Sequence, residues 1–244
     1  MKKTKIITVF SHKGGTGKST ITINLATALS IAGKNVGVVS FDSQNDSLAL
    51  VSDDVVGVGM KKAIQGGNLF KSVKFLKQGV NYYPIETDVI GVTLKSKFKN
   101  EVLKECEKRE YDYLIIDNSA TRVSNLTSLS FEMADEILVP TSLDKLSINA
   151  IGRLIDELVN KNMIDKLSYI IPNLYNGWAT EKEKLQELKD ALVGVDVFLS
   201  EPIKRKSYIQ KLSENEKTVF DYSNKLAVEF QTIYIEIVGK IIAG

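Results

Sequence analysis

Cys106 and His12 are the only cysteine and the only histidine in the 244-residue chain. One thiol excludes a disulfide within the chain, and it excludes an iron–sulfur site built by one chain. One imidazole argues against a histidine-based zinc centre and against a Ser-His-Asp triad. No run of eighteen or more apolar residues is present, and there is no N-terminal signal pattern. Neither a membrane span nor a secretory signal is therefore expected, and a soluble cytoplasmic protein is the default. An excess of either charge is also missing. The net charge is +2, so any contact with nucleic acid has to come from a local patch.

What the chain does have is alternation. Apolar, β-branched runs at Ile6–Phe10, Val36–Phe41, Tyr82–Ile85, Tyr113–Ile116, Glu136–Pro140, Leu167–Ile171 and Val195–Leu199 read as strands. Between them lie helical patterns, such as Ile148–Asn160 and Thr180–Leu192. Strands separated by crossover helices imply an α/β fold with a largely parallel sheet covered on both faces. No internal repeat, low-complexity tract or linker divides the chain, so residues 1–244 are expected to form a single domain. The segment from Asp53 to Gly79 gives the weakest pattern. The final stretch, Leu226–Ile242, places Leu226, Phe230, Ile233, Ile237 and Ile241 at helical spacing. A helix made to lie on a membrane would carry a rich basic face. Lys240 is the only cation after Lys225, so packing against the domain is the expectation.

The stretch that organises the rest is Lys13-Gly14-Gly15-Thr16-Gly17-Lys18-Ser19-Thr20, set between the first strand and the helix beginning near Ile21. Strand, glycine-rich turn and helix together make a phosphate loop. The glycines turn successive amides toward one point, and those amides join the helix N-terminus to form a nest for phosphate oxygens. Lys18 would reach the β- and γ-phosphates, Ser19 would ligate magnesium, and Thr20 would sit near the α-phosphate. The common form of this loop has a glycine where His12 stands, and it lacks a second lysine at Lys13.

With Lys13 in place, the loop resembles the deviant phosphate loop (deviant Walker A) of the ParA/MinD family of ATPases, and the resemblance runs over nearly the whole chain. In that family the extra lysine, matched by Lys13, crosses an ATP-sandwich dimer to the partner's phosphate. The resemblance implies a P-loop NTPase fold, with ATP and Mg2+ as cofactors. Asp117, after the strand Tyr113–Ile116, matches the aspartate that holds magnesium, often through water. It is followed by Asn118-Ser119 where Cys-Pro or Thr-Pro is usual. Asp42 and Gln44 fit the family's Asp-x-Asp-Pro-Gln, with Ser40 replacing the first aspartate and Ser43 the proline. The second aspartate, Asp42, is the one credited with orienting the attacking water. Asn173 matches an asparagine that contacts the adenine. Pro202, in Glu201-Pro202-Ile203-Lys204-Arg205-Lys206, lies in the loop that covers the base. Lys204, Arg205, Lys206 and Lys211 match the region that binds DNA without sequence preference. Lys217-Thr218-Val219-Phe220-Asp221-Tyr222 resembles a late family stretch, Lys-x-Val-Phe-x-Tyr.

The function this implies is that of a short ParA-type partition ATPase. The loop begins about a dozen residues in, so no N-terminal DNA-reading domain is expected. ATP would close a homodimer that binds DNA nonspecifically on the nucleoid. A centromere-binding partner would stimulate a slow hydrolysis, since the site holds no obvious arginine finger. The alternative within the family is a MinD-like positioning ATPase acting on a membrane or another cargo. A tyrosine autokinase on this fold would need a tyrosine-rich terminus, and a nitrogenase-type reductase would need paired cysteines.

Overall fold

The computed structural model describes residues 3–41, 74–76, 79–83, 92–118, 125–207, 209, 212 and 217–244. Asp42, Ser43, Gln44, Ser119, Tyr208 and Lys211 lie outside these residues, as does most of the segment from Asp53 to Gly79. The described elements are β1 (Lys5–Val9), α1 (Lys18–Ile31), β2 (Val36–Phe41), β3 (Lys74–Phe75), β4 (Asn81–Tyr83), α2 (Val92–Arg109) and β5 (Tyr113–Asn118). They continue with α3 (Asn125–Met133), β6 (Glu136–Ser142), α4 (Lys145–Asn160), β7 (Leu167–Asn173), α5 (Ala179–Ala191), β8 (Phe198–Leu199) and α6 (Lys225–Ala243).

The strands form one sheet in the order β3-β4-β2-β5-β1-β6-β7-β8. Every pairing is parallel except β3 with β4. From β1 the chain first builds one side of the sheet, through β2 and β4. It then returns through β5 to build the other side, from β6 to β8. Crossovers that diverge around a central strand leave a crevice at its C-terminal end, which is where such folds bind ligands. The glycine-rich loop opens from that end of β1.

Both faces of the sheet are buried because residues along each strand alternate between two apolar layers. Ile7, Val9, Val36, Val38, Ile115, Leu138 and Ile171 share a core with α1 and α6. On the opposite face, Val39, Leu114 and Ile116 pack with Val102 of α2 and Leu129 of α3. Ile137, Val139 and Ile170 pack with Leu154 and Leu158 of α4 and Leu188 of α5. Helix α1 is buried from Ile21 through Leu29 without a polar face. It lies between the sheet on one side and α6 on the other. Asn24 supports this arrangement, accepting from the Val219 N–H at 2.9 Å while its own amide donates to the Thr20 carbonyl at 2.8 Å. Gln231 of α6 donates to the Val219 and Tyr222 carbonyls.

Three boundaries differ from the sequence pattern. Only Phe198 and Leu199 of the run Val195–Leu199 pair with β7. The amides of Val195 and Val197 are used in local turn bonds to Leu192 and Val195, after Gly194 at φ +82°. Helix α4 starts at Lys145 rather than Ile148, because Asp144 caps it. The strand read at Tyr82–Ile85 is described only as Asn81–Tyr83, with Pro84 and Ile85 outside the described residues.

The last helix packs as expected. It buries Ala227, Phe230, Tyr234, Ile237, Val238 and Ile241. Phe230→Ala should therefore lower the unfolding free energy by about 3–5 kcal/mol, the usual cost of deleting a buried ring. Urea denaturation measures it, and a loss below about 1 kcal/mol would mean that α6 is not an integral layer of the core.

Candidate functional site

Helix α1 begins in an unusual electrostatic state. Its N-cap is Gly17, at φ +86°, which offers no side chain to the first-turn amides. No acidic residue stands in the first turn. Lys18, the first helical residue, is only 7% exposed. A buried cation at the positive end of a helix is repelled by the dipole and by the uncapped N–H groups. A polyanion placed there would relieve all three at once. Other helices are finished differently. Asp144 caps α4 and Asn224 caps α6, each accepting from first-turn amides.

The loop's shape follows from two glycines with positive φ, Gly15 at +73° and Gly17 at +86°. Gly17 is constrained twice, since a Cβ there would also collide with the side-chain amide of Asn173. Asn173 is buried at the end of β7 and donates to the Thr16 carbonyl at 2.8 Å. Ser19 and Thr20 are partly exposed in the first turn of α1.

Asp117 is fully buried and lies between Val9 of β1 and Ser40 of β2 in the sheet register. The Thr22 hydroxyl donates to Asp117 Oδ1 at 3.3 Å. Ser40, where the resembled family has an aspartate, is the direct neighbour of Asp117 across the ladder. A second carboxylate at that place would repel the first, and serine leaves Asp117 as the only acid of this row. Asn118 is buried too. Its amide donates to the Val9 carbonyl at 3.2 Å and its oxygen accepts from Ser130 at 3.0 Å, which accounts for asparagine at this position. The hydroxyl of Ser19 and the carboxylate of Asp117 are hard oxygen donors of the kind magnesium takes, and the buried carboxylate fits that ion.

Lys13 behaves differently from Lys18. Its ammonium lies 2.7 Å from Asp144 Oδ2, with both side chains 41% exposed. The same oxygen accepts from Ser142 at 2.7 Å and from the Ser147 hydroxyl at 2.9 Å, while Oδ1 accepts the amides of Leu146 and Ser147. Partial burial opposes ionisation of Asp144. The Lys13 ammonium and the Ser142 and Ser147 donors outweigh it and hold the carboxyl well below the usual range. Asp144 was not singled out in the sequence, although an aspartate two residues before Leu146 at the head of an apolar-periodic run is a helix-start signal. The His12 ring packs edge-on to Phe10 at 4.8 Å, and burial lowers its pKa.

Asn173 and Pro202 are brought together. The Ile203 amide donates to the Pro172 carbonyl at 2.8 Å, and the Tyr175 amide donates to the Ile203 carbonyl at 3.0 Å, so the loop after β8 runs beside the end of β7. The basic cluster is less uniform than its sequence. Lys204 pairs with Glu229 of α6, whereas Arg205 and Lys206 are exposed and make no ion pair among the described residues.

Asp144 therefore has two separable jobs. Asp144→Ala should cost about 1 kcal/mol through loss of the cap, whereas Asp144→Asn should cost only a few tenths. The charge-dependent part has a definite sign. A carboxyl depressed in the folded state stabilises above the ordinary carboxylate range, and that contribution is lost as pH falls through its folded pKa. The difference between wild type and Asp144→Asn should be present at neutral pH and shrink in acid. Urea unfolding at pH 7 and below pH 3 tests both, and equal costs for Ala and Asn would remove the capping role.

Comparison with known proteins agrees with this geometry. Residues 7–219 match the CobQ/CobB/MinD/ParA nucleotide binding domain. The chromosome-partitioning ATPase Soj of Thermus thermophilus is 26% identical over 205 residues, covering 80% of each chain. The septum site-determining protein MinD of Pyrococcus horikoshii, solved with Mg-ADP, superposes with a TM-score of 0.77 at 21% identity, covering 98% of this chain and 97% of that one. A plasmid partition protein of Borrelia burgdorferi bound to AMPPNP gives a TM-score of 0.77 at 20% identity, covering 98% and 99%. At these identities the two structures speak for the fold.

Proposed function

The chain belongs to the CobQ/CobB/MinD/ParA nucleotide-binding domain family, and on that footing we propose that it is an ATP-driven partition ATPase that carries cargo over DNA. The observation that carries the nucleotide reading is the buried Lys18 at an uncapped helix N-terminus. The phosphates of ATP are the anion that this helix end favours. Ser19 and Asp117 would hold magnesium, which would offset charge on the phosphate oxygens. Asn173 and Pro202 border the base. Asp42 orients the attacking water, a reading that rests on its match to the family motif. Phosphoryl transfer of this kind needs positioned charge more than a strong base, and with no arginine in the loop the unaided rate is slow.

Lys13 supplies the switch to a dimer. In the single chain its ammonium is held by Asp144. When two nucleotide-bound copies face each other, Lys13 turns to the partner's phosphates. The dimer binds DNA through Arg205, Lys206 and Lys211, with Lys204 partly neutralised by Glu229. A centromere-bound partner protein stimulates hydrolysis and releases it. The Soj relative favours this cycle. A MinD-like positioning role is the second reading, favoured by a MinD relative 26% identical over 200 residues. No helix among the described residues is long and apolar enough to cross a membrane.

Sizing the protein with a nonhydrolysable ATP analogue, with and without DNA, tests the cycle. A nucleotide-dependent dimer that co-migrates with DNA is expected, and a monomer under all conditions would end the reading. Lys13→Ala should bind ATP with near-normal affinity yet stay monomeric on the same column. A normal dimer would show that Lys13 does not act across the interface. Asp42→Ala should bind ATP and dimerise but lose turnover by about 100-fold or more in a phosphate-release assay. Wild-type turnover would reduce Asp42 to a turn residue.

A further inference from the structure

The loop after β7 carries the chain's one tryptophan, Trp178, with 63% of its surface exposed. Its backbone is firmly held. Glu181, only 8% exposed, accepts from the Asn176 N–H at 2.9 Å, the Asn176 side-chain amide at 2.9 Å and the Trp178 N–H at 3.1 Å. Gly177, at φ +86°, supplies the left-handed step that lets the chain close around that carboxylate. The loop is also bonded sideways to the basic strip. Tyr175 donates its amide to the Ile203 carbonyl at 3.0 Å, and Arg205 donates its amide to the Tyr175 carbonyl at 2.8 Å. A rigid loop presenting a large exposed ring is thus fastened along the segment that carries Arg205 and Lys206, both exposed.

We propose that the Tyr175–Trp178 loop and the Arg205–Lys206 strip form one face for the backbone of duplex DNA, with Trp178 as its apolar contact. The proposal rests on the DNA-carrier reading and deepens it. Guanidinium and ammonium groups meet phosphates and release counterions, so their share of the affinity falls as salt rises. An indole meets the apolar edge of deoxyribose or the face of a base at a frayed end, and that share does not depend on counterions. Neither contact reads sequence. Trp178 therefore supplies the part of the affinity that survives salt, and the cations supply the part that does not.

The single tryptophan makes the test direct. Wild-type protein with the nonhydrolysable ATP analogue is titrated with two unrelated duplexes while tryptophan emission is followed. Emission should change and saturate alike for both. Trp178→Ala should weaken binding about fivefold at every salt concentration, leaving the slope of log affinity against log salt unchanged. Trp178→Phe should restore most of the loss. Arg205→Ala with Lys206→Ala should instead flatten the slope. ATP-driven dimerisation should be intact in all of these variants. If wild type binds DNA with silent emission and Trp178→Ala binds equally well, the face is elsewhere, and the carrier reading survives without it. If wild type with nucleotide binds no duplex at all, both readings fall. If Trp178→Ala cannot dimerise, the ring belongs to the contact between two copies, and the proposal is overturned.

Discussion

The hydrogen bond from Asn173 to the Thr16 carbonyl fastens two halves of the molecule that the chain builds far apart. Thr16 sits in the loop at the head of β1, and Asn173 ends a strand two places away across the sheet. The bond fixes the loop's last turn before α1. It also fills the space beside Gly17, so the left-handed conformation at that residue is enforced from outside as well as permitted from within. Everything proposed for the phosphates needs the amides after Gly15 to converge, and they cannot converge if this turn relaxes. One amide side chain thus sets the geometry of the glycine loop and, through its place in β7, the position of the loop that follows.

Electrostatics around that nest divides between two lysines with opposite circumstances. Lys18 is buried without an acid in its helical turn, a state that favours an incoming anion. Lys13 is half-exposed and already paired with Asp144. An exposed pair of this kind contributes about 0–1 kcal/mol, so the pair holds Lys13 only weakly. Ser40 next to Asp117 lowers the local negative charge further, since the ladder holds one carboxylate where the resembled motif would crowd two.

The fold was legible wherever local pattern and global position agree. The strands show because buried parallel strands must be apolar on both faces, and the loop shows because its glycines have few substitutes. The closing helix shows because Phe230, Ile237 and Ile241 repeat at its period. Legibility failed where the partner is distant or the competition is local. Nothing near Lys13 announces Asp144, which is 131 residues away. Nothing near Asn173 announces Thr16. The apolar run Val195–Leu199 reads as a full strand, yet a turn at Gly194 takes its first amides. The basic run at Lys204 reads as uniform, yet Glu229 of α6 pairs with Lys204 and partly neutralises it.

The burial of α1 on every side has a consequence for how the molecule is made. One flank of this helix is covered by the sheet, whose central strands come from the first half of the chain. The other is covered by α6 and by Val219, whose bond to Asn24 spans 195 residues. Closing so long a loop is entropically slow, and non-local contacts of this kind delay folding. Until it closes, the apolar helix that begins at Lys18 faces water, the sort of surface through which folding intermediates aggregate or engage chaperones. A ligand that ties the head of that helix to β7 would hold an early piece of the chain in register while the late piece arrives.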